Sequence, residues 1–434
     1  MARTVDAVII GAGVIGASIG HQLALAGRKT LNVDRLPAAG YGPTSNSCGI
    51  IRVHYSTRTG VALAHEGYHC WRNWAEHLGA EDERGLAEFR DCGCLVIRTG
   101  GQDHLSPVLG HLDALGIPYE DWDREAIAAR LPFYALERFS PPRVMSDPLF
   151  GEPSGGMVEG AVYFPTAGYV GDPQLATHNL QRAAEAAGGT FLFGRTVTAV
   201  LRSGDRVCGV ELDDGERIEA PVIVNVAGPH SARINRMAGA DADMTISTRP
   251  IRQEVAHIPA PRGIEFERDG LVVFDGDIGC AVRPDSGNHV LISSELPPCD
   301  PREEVDPDDY NRDLTDQALN QAYRYAQRVP TLEVSPRPGG VVGLYDVSDD
   351  WLPIYDRARP HGFYMAIGTS GNQFKNAPCA GRMMAALIEY CEAGNDHDAS
   401  PLQYRLERTG RTIDTAGFSR RRSVTSESSF SVLG

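Results

Sequence analysis

The first 34 residues contain the arrangement that most restricts the fold of this chain. An apolar run over residues 5–10 leads into the glycine-rich turn 11–16, and a helical stretch, a strand over residues 29–33 and Asp34 follow. This order is typical of a nucleotide-binding Rossmann unit, in which the glycines allow a tight turn, a close pyrophosphate and close helix packing. The helix N-terminus offers unpaired N–H groups to phosphate, and the acid is expected to bind a ribose. We therefore predict a dinucleotide held by Gly11, Gly13, Val14, Ile15, Gly16, Asp34 and Arg35.

Composition excludes several partners. The chain has 434 residues and a net charge of −16, which argues against nucleic-acid and anionic-membrane partners. No apolar run is long enough to span a membrane, and the first strand begins too early to leave room for a signal peptide. Nine scattered cysteines, an odd number, favour a reducing cytoplasm over a disulfide framework.

The pattern of elements predicts an α/β protein with two interleaved domains. Strands and helices alternate to about residue 80 and become regular again from residue 169, with helices expected over 174–187, 316–327 and 377–393. We assign residues 1–85, 160–230 and 341–395 to a discontinuous nucleotide domain. Residues 86–159 and 231–340 form the predicted substrate domain, and residues 396–434 form a C-terminal extension. Its tail, 417–434, is rich in Ser and Arg and is expected to be only partly ordered.

Three further segments carry a family resemblance. They are residues 222–231 (VIVNVAGPHS), residues 343–345 with 368–375 (GLY and GTSGNQFK), and residues 44–52 (TSNSCGIIR). With the N-terminal turn, they resemble the FAD-dependent amine and amino-acid oxidoreductases of the D-amino-acid oxidase, glycine oxidase and sarcosine oxidase type. The resemblance spans about residues 1–390 and is nearest to the sarcosine oxidase–dimethylglycine dehydrogenase branch. It implies a Rossmann-like FAD domain and a mixed-sheet α+β substrate domain.

The resemblance also implies further cofactor contacts. In such proteins, one strand places its backbone against adenine, hydroxyls reach the pyrophosphate, and a glycine loop followed by a helix N-terminus faces the flavin. The matching positions here are Ser45, Asn46, Ser47, Val197, Ala227, Gly228, Gly343, Gly371, Asn372, Gln373 and Lys375. Some relatives link the flavin covalently through a cysteine or a histidine. Because Gly343 and Asn46 stand at those positions, we expect FAD to be bound without a covalent bond.

Four residues are the candidates for substrate contact. By resemblance, Arg52 and Lys375 hold a substrate carboxylate, the first as a planar fork and the second as a point charge. The alternative is that each is a surface cation beside a helix. His54 and Tyr345 are expected in the same pocket. If residues 52–55 continue a strand, alternation turns either Arg52 and His54 or Val53 and Tyr55 toward this pocket, but not both pairs. A purely structural role for His54, Tyr55 and Tyr345 stays open.

The expected reaction is oxidation of the C–N bond of a primary or secondary amino acid, sarcosine- or glycine-like. A hydride equivalent passes to the flavin and the resulting imine is hydrolysed. Oxygen is the expected acceptor, although Arg283 stands where relatives carry an oxygen-activating lysine. Two alternatives therefore stay open: an amine dehydrogenase with another acceptor, and a flavin-binding subunit of a hetero-oligomer. The protein is expected to act on a small amine or amino acid, and homo- or hetero-oligomers are both compatible with the sequence.

Two other patterns are not assigned to chemistry. His65, Glu66 and His69 have the spacing of a zinc-protease helix, but Gly67 weakens such a helix and no further histidine follows at the required distance. The acidic run 300–309 is expected to be a solvated loop. We therefore predict no metal site.

Overall fold

The structure is a computed structural model that describes residues 3–100 and 105–433. Its strands are, in chain order, β1 (Arg3–Thr4), β2 (Ala7–Ile10), β3 (Thr30–Asp34), β4 (Ile50–Ile51), β5 (Phe89–Arg90), β6 (Cys94–Arg98), β7 (Glu120–Trp122), β8 (Gly160–Phe164), β9 (Gly168–Val170), β10 (Thr190–Phe193), β11 (Val197–Ser203), β12 (Arg206–Leu212), β13 (Arg217–Glu219), β14 (Val222–Asn225), β15 (Thr248–Pro259), β16 (Val272–Asp275), β17 (Cys280–Asp285), β18 (His289–Ser294), β19 (Gly339–Ser348), β20 (Ile354–Ala358), β21 (Phe363–Ile367), β22 (Gln403–Arg405) and β23 (Thr412–Asp414).

The helices are α1 (Val14–Leu25), α2 (Arg58–Arg72), α3 (Trp74–Leu78), α4 (Leu105–Leu115), α5 (Arg124–Arg130), α6 (Pro173–Ala186), α7 (Ser231–Ala238), α8 (Phe266–Asp269), α9 (Asp316–Arg328) and α10 (Ala377–Glu392). Short 3₁₀ turns cover Gly228–His230, Asp241–Asp243, Phe374–Asn376 and Thr415–Phe418. Within the described ranges, no helix combines the length and apolarity that crossing a membrane requires.

Local sequence explains several element boundaries. Helix α6 begins where the Asp172 side chain accepts a hydrogen bond from the Leu175 N–H at 2.8 Å and Pro173 occupies the first turn. The hairpin between β12 and β13 closes at Gly215, whose φ of +83° suits a glycine. The predicted helices at 174–187, 316–327 and 377–393 are therefore confirmed as α6, α9 and α10, with ends shifted by a residue at most.

A six-stranded sheet forms the predicted nucleotide unit. Its strand order is β10-β3-β2-β14-β21-β20, and every neighbouring pair is parallel except β20–β21. Alternate residues of β2 point to opposite layers. Ile9 packs among helices α1, α2, α6 and α10, whereas Val8 and Ile10 pack toward the four-stranded sheet β1-β13-β12-β11. This arrangement confirms the Rossmann-like part of the fold.

The second large sheet is mixed and has eight strands, in the order β19-β15-β18-β17-β16-β6-β8-β7. Helix α9 packs on it, and Ala318, Ala322 and Tyr325 share one buried cluster with Ile292 of β18. The mixed sheet confirms the predicted α+β unit. Two strands of this sheet come from segments that we assigned to the nucleotide domain. Strand β8 lies in 160–230 and pairs with β6, and β19 lies largely in 341–395 and pairs with β15. The exact domain division stays a prediction.

The zinc-protease-like pattern anchors the C-terminal extension. Glu66 accepts hydrogen bonds from the backbone N–H groups of Arg408 and Thr409, both at 2.8 Å. His65 accepts one from the Arg411 guanidinium at 2.8 Å, and burial lowers the pKa of His65 to about 3. These side chains therefore have structural partners in the C-terminal extension.

The Ser- and Arg-rich tail packs differently from the sequence expectation. Arg420 is fully buried and forms ion pairs with Asp243, Asp356 and Asp398 at 2.5–3.0 Å. Composition indicated partial order, but it cannot show that three carboxylates elsewhere in the chain converge on one guanidinium. The tail is therefore held to the nucleotide unit from residue 420.

Replacing Arg420 with Met should lower the free energy of unfolding by about 3–5 kcal/mol, because it leaves buried carboxylates without their partner. Arg421→Met is the matched control. Arg421 contacts Asp243 and Asp398 too, but its side chain is 45% exposed, so the loss should stay below about 1 kcal/mol. Urea unfolding measures both variants, and equal losses would contradict this description of the cluster.

Candidate active site

The glycine-rich turn is packed too tightly for side chains at two positions. At Gly11, φ is +125° and an added Cβ would overlap the carbonyl oxygen of Val226, at the end of β14. At Gly16, an added Cβ would overlap the Gly11 carbonyl oxygen. The turn therefore brings the N-terminus of α1 against the sheet, as a pyrophosphate-binding turn requires. Gly13 precedes Val14 and Ile15 as the N-cap residue of α1.

Asp34 supports this turn from the end of β3. Its carboxylate accepts hydrogen bonds from the N–H groups of Ala12 at 2.7 Å and Leu36 at 2.9 Å. Asp34, predicted to bind the ribose, thus also fixes the conformation of the glycine-rich turn. Its neighbour Arg35 forms an ion pair with Asp308.

The hydroxyl nearest the helix N-terminus belongs to a residue that sequence reasoning missed. Thr44 Oγ1 accepts a hydrogen bond from the Val14 N–H at 3.2 Å, whereas the chosen serines close local turns. Ser45 donates to the Gly42 carbonyl at 2.9 Å, and Ser47 accepts from the Gly49 N–H at 3.1 Å. Thr44 directly precedes these serines, so only the backbone path could distinguish the three hydroxyls.

A charged cluster closes the turn that follows β14. Asp308 binds His230, Arg35 and Arg233, and these hydrogen bonds hold the pKa of its carboxyl well below its ordinary value. Part of the acidic run 300–309 is therefore paired and not simply solvated. Asp300 is also buried, with Arg324 at 2.6 Å.

The other predicted cofactor contacts include Val197, on the strand expected against adenine, and Ala227 and Gly228. Val197 is buried at the start of β11, opposite Leu212. The Ala227 N–H donates to the Asn225 side chain at 3.2 Å. Gly228 has a φ of +56° and open space where a Cβ would stand. The last feature is compatible with a ligand lying against that backbone.

Gly343 and Asn46, which by resemblance match the flavin-linking positions of some relatives, lie side by side. A Cβ added to Gly343 would stand 3.1 Å from the Asn46 Cβ, and the Asn46 amide donates to the Val342 carbonyl at 3.1 Å. Neither residue has a thiol or imidazole.

The glycine loop after β21 is fixed by a buried acid that the sequence analysis missed. Asp346 accepts from the Gly368 N–H through its carboxylate and from the Ser370 N–H through its carbonyl, both at 2.7 Å. Burial raises the pKa of Asp346 to about 7. The next glycine, Gly371, has a φ of +71°, and an added Cβ would overlap the ring of Tyr345. Tyr345 therefore packs directly on the loop predicted to face the flavin.

Asn372 and Gln373 turn their side chains into the protein. Gln373 accepts hydrogen bonds from the Tyr355 hydroxyl at 3.0 Å and from the Asn376 amide at 2.8 Å. Its own amide donates to Asn372 Oδ1. Any contact of these two residues with a cofactor therefore falls to their backbone.

Arg52 and Lys375 meet at Tyr55. Lys375 Nζ donates to the Tyr55 hydroxyl at 2.8 Å and to the Asn372 carbonyl at 2.7 Å, while the Arg52 guanidinium lies 4.4 Å from the centre of the Tyr55 ring. The exposed fractions of Arg52 and Lys375 are 2% and 3%, so neither is the surface cation of the alternative interpretation.

The two cations have no carboxylate partner in residues 3–100 and 105–433. Over these ranges, their hydrogen bonds go to backbone carbonyls and to the Tyr55 hydroxyl, and no ion pair joins either of them to an acid. Burial lowers the pKa of Lys375 well below its usual value, and the nearby Arg52 lowers it further. Glu295 is the acid that faces Arg52, but no hydrogen bond joins the two side chains: burial raises the pKa of the Glu295 carboxyl to about 8 while Arg52 lowers it, and its Oε1 has no hydrogen-bond partner. The site therefore favours an anionic ligand.

The predicted alternation over residues 52–55 is wrong. Strand β4 ends at Ile51, and Arg52 Nη1 donates back to the His54 carbonyl, so Arg52 and Tyr55 lie on the same side. The His54 ring packs between Phe164 and Phe274, with centroids 5.0 Å away in each case. A two-residue strand is too short for period-2 reasoning to continue past its end.

The backbone of Lys375 is positioned by helix α2. Its carbonyl accepts a hydrogen bond from Trp71 Nε1 at 2.9 Å, and an added Cβ at Gly67 would overlap the same carbonyl oxygen. Gly67, which argued against a zinc-binding helix in the sequence, thus allows α2 to pack closely against the backbone of Lys375.

Arg283 is tied to the same region from the second sheet. It is buried, its Nε donates to the Cys48 carbonyl, and Nη1 contacts Asp285 at 2.8 Å. Its guanidinium also lies 4.6 Å from the Tyr169 ring centre. These contacts hold the loop 44–52 against β17.

The parts of this site fit FAD. A tight glycine turn at a helix N-terminus, an acid at the end of the next strand and a second glycine loop leading into α10 suit a dinucleotide with an extended ring. A family model described as DAO, FAD dependent oxidoreductase, matches residues 6–387. The chain belongs to this family.

Similar proteins extend the assignment. The chain is 27% identical over 420 residues to a glycine oxidase of Geobacillus kaustophilus, covering 94% of this chain and all of that protein. It is 24% identical over 281 residues to a D-amino acid dehydrogenase of Methylobacterium radiotolerans, covering 54% and 63% of the two chains.

Among solved structures, the glycine oxidase of Geobacillus kaustophilus superposes with a TM-score of 0.74 at 20% identity, over 98% of this chain and all of that one. An L-proline dehydrogenase from P. horikoshii gives a TM-score of 0.73 at 20% identity, over 91% and 95% of the chains. The protein is thus an FAD-dependent oxidoreductase, and its fold is shared with these glycine oxidase and L-proline dehydrogenase structures.

Gly11→Ala should remove most of the bound flavin, because the new Cβ meets the Val226 carbonyl and displaces the turn. Gly27→Ala is the matched control. Gly27 also has a positive φ, +82°, but nothing lies within 4 Å of its added Cβ. It should lose only about 1 kcal/mol of stability. The ratio of visible to ultraviolet absorbance measures flavin content, and full flavin in Gly11→Ala would contradict the turn's role.

Asp346→Asn should flatten the pH dependence of stability. The pKa of Asp346 is raised to about 7, so the folded state retains its proton while the unfolded state loses it near pH 4. Stability therefore falls as pH rises from about 4 to 7, by up to about 4 kcal/mol. Asparagine keeps an acceptor for the Gly368 N–H without this loss. Thermal unfolding at pH 5 and pH 8 measures the difference, with Asp349→Asn as the control that should follow the wild type.

Proposed function

We propose that this protein oxidises a sarcosine- or glycine-like primary or secondary amino acid, as a member of the sarcosine oxidase branch. The observation that carries the proposal is the buried pair Arg52 and Lys375, which has no carboxylate partner in the described part of the chain. A substrate carboxylate supplies the missing charge. The arginine contributes a two-pronged donor, and a bound carboxylate would raise the lowered pKa of Lys375, so that the lysine adds a point charge.

The same electrostatics select the reactive form of the amine. Arg52 lowers the pKa of the neighbouring Lys375, and a buried positive charge acts likewise on a substrate ammonium held beside it. The neutral amine retains the lone pair that C–N oxidation requires. A site with this charge thus binds the acid end of an amino acid while it favours deprotonation of the other end.

FAD supplies the acceptor for the hydride equivalent from the carbon beside nitrogen. Residues 11–16, Asp34, Thr44 and the 368–376 loop would hold it. We propose that the attachment is non-covalent, because Gly343 and Asn46 occupy the linking positions and lack nucleophilic atoms. The imine product leaves for hydrolysis, and an N-methyl substrate would yield formaldehyde and the demethylated amine.

Oxygen is the proposed acceptor, with a dehydrogenase as the second candidate. The second candidate is supported by Arg283, which stands in place of the lysine and whose Nε and Nη1 donate to the Cys48 carbonyl and to Asp285. A similar protein is also named a D-amino acid dehydrogenase. The nine cysteines are all free, which supports a reducing cytoplasm as the proposed location.

Turnover in air distinguishes these acceptors. One peroxide per oxidised amino acid supports the oxidase, and flavin reduction without peroxide supports the dehydrogenase. A yellow protein that no amine reduces under anaerobic conditions would instead support a flavin-binding subunit of a larger assembly, and would reject the proposed activity.

Arg52→Lys should lower kcat/KM for N-methylglycine by about ten- to a hundredfold, since one charge-assisted hydrogen bond is lost. Oxidation of dimethylamine, which has no carboxylate, should change little. Arg58→Lys alters an exposed arginine nearby and is the protein-side control. Equal effects of Arg52→Lys on both amines would reject Arg52 as the carboxylate ligand.

A further inference from the structure

Val432 and Leu433 occupy the proposed carboxylate site. Arg52 Nη2 donates to the carbonyl oxygens of Val432 at 2.9 Å and Leu433 at 2.8 Å, and Nη1 donates to the His54 carbonyl. The guanidinium edge that would receive a substrate carboxylate is therefore engaged by neutral backbone acceptors. A carboxylate can therefore bind at Arg52 Nη2 only when this segment has left it.

The side chains of the segment enter apolar surroundings on both sides. Val432 packs against the cluster of Ile251, Leu296, Val347 and Trp351, where Tyr345 also packs. Leu433 packs against the cluster that contains Tyr55 and Phe274. The segment thus fills the space around the residues predicted to contact substrate.

A second arginine contacts the segment at its entry. Arg302 donates to the Phe430 carbonyl at 3.3 Å, and its guanidinium lies 5.7 Å from the centre of the Trp351 ring. Phe430 has a φ of +50°, which is unfavourable for a bulky residue, and its side chain is 39% exposed. The segment is therefore seated at some conformational cost.

An ion pair fixes the chain upstream of the segment. Arg422 forms an ion pair with Asp350 at 2.7 Å and donates to the Leu352 carbonyl at 2.8 Å. From there a short tether leads to Val432. A short tether keeps a displaced segment at an effective concentration of about millimolar, so it returns readily.

We propose that residues 430–433 act as a reversible internal competitor that occupies Arg52 and is displaced by the substrate carboxylate. The inference rests on the proposed function of Arg52. An ionised carboxylate forms hydrogen bonds with a guanidinium that are about twice as strong as those of a neutral carbonyl. The amino acid therefore opens the site that the chain otherwise closes. A segment seated about nine-tenths of the time raises the apparent Kd of any carboxylate about tenfold.

The test uses the FAD-loaded enzyme and benzoate as a carboxylate probe, read from the flavin visible spectrum. Removal of residues 424–434 should lower the benzoate Kd about tenfold. In the full chain, Val432→Ser should lower it severalfold, since the segment loses an apolar contact. Val424→Ser changes an exposed valine outside the pocket and should leave the Kd unchanged. A synthetic peptide of residues 424–434 should raise the Kd of the truncated enzyme again.

Equal benzoate Kd values for the full, truncated and Val432→Ser forms would overturn the inference. A second measurement, direct binding of a fluorescent 424–434 peptide to the truncated enzyme, distinguishes failure of the internal-competitor proposal from failure of the proposed function. If no amino acid reduces the flavin but the peptide binds in an Arg52-dependent way, binding of the segment at Arg52 is supported and the proposed activity is rejected. Absence of peptide binding at millimolar concentration rejects the internal competitor itself.

Discussion

Two buried cations share one tyrosine at the centre of this protein. Arg52 lies on the face of the Tyr55 ring and Lys375 donates to its hydroxyl, yet no ion pair neutralises either one within the residues described. Taking a charge out of water without a partner is costly, so surrounding dipoles must compensate. The carbonyl oxygens of Asn372 and His54 do so in part. A site maintained at this cost is suited to an anion that arrives from solution.

The rest of the fold brings the two loops that carry these cations together. The loop ending at Tyr55 leaves the short strand β4, and the loop with Lys375 leaves β21 of the six-stranded sheet. Helix α2 fixes the second loop through Trp71 and the missing side chain of Gly67. Asp346 fixes its beginning from β19 of the other sheet. Both sheets therefore contribute to a site that neither contains alone.

The sequence indicated the regular parts of this arrangement and missed those that depend on tertiary contact. The glycine turn, α6 and α10 follow from local rules that act over a few residues. Thr44 could not be preferred over Ser45, because all three hydroxyls of that loop have the same chemistry and only the backbone path separates them. The packed tail was missed because its arginines find acids far along the chain.

A crystal structure of the FAD-loaded enzyme with a carboxylic acid that is not oxidised, such as benzoate, tests the central claim most directly. The carboxylate should lie within hydrogen-bond distance of both the Arg52 guanidinium and Lys375 Nζ, beside the flavin ring, with the backbone at Val432 and Leu433 displaced. A carboxylate bound elsewhere, with both cations remote from the flavin, would contradict this account of the site.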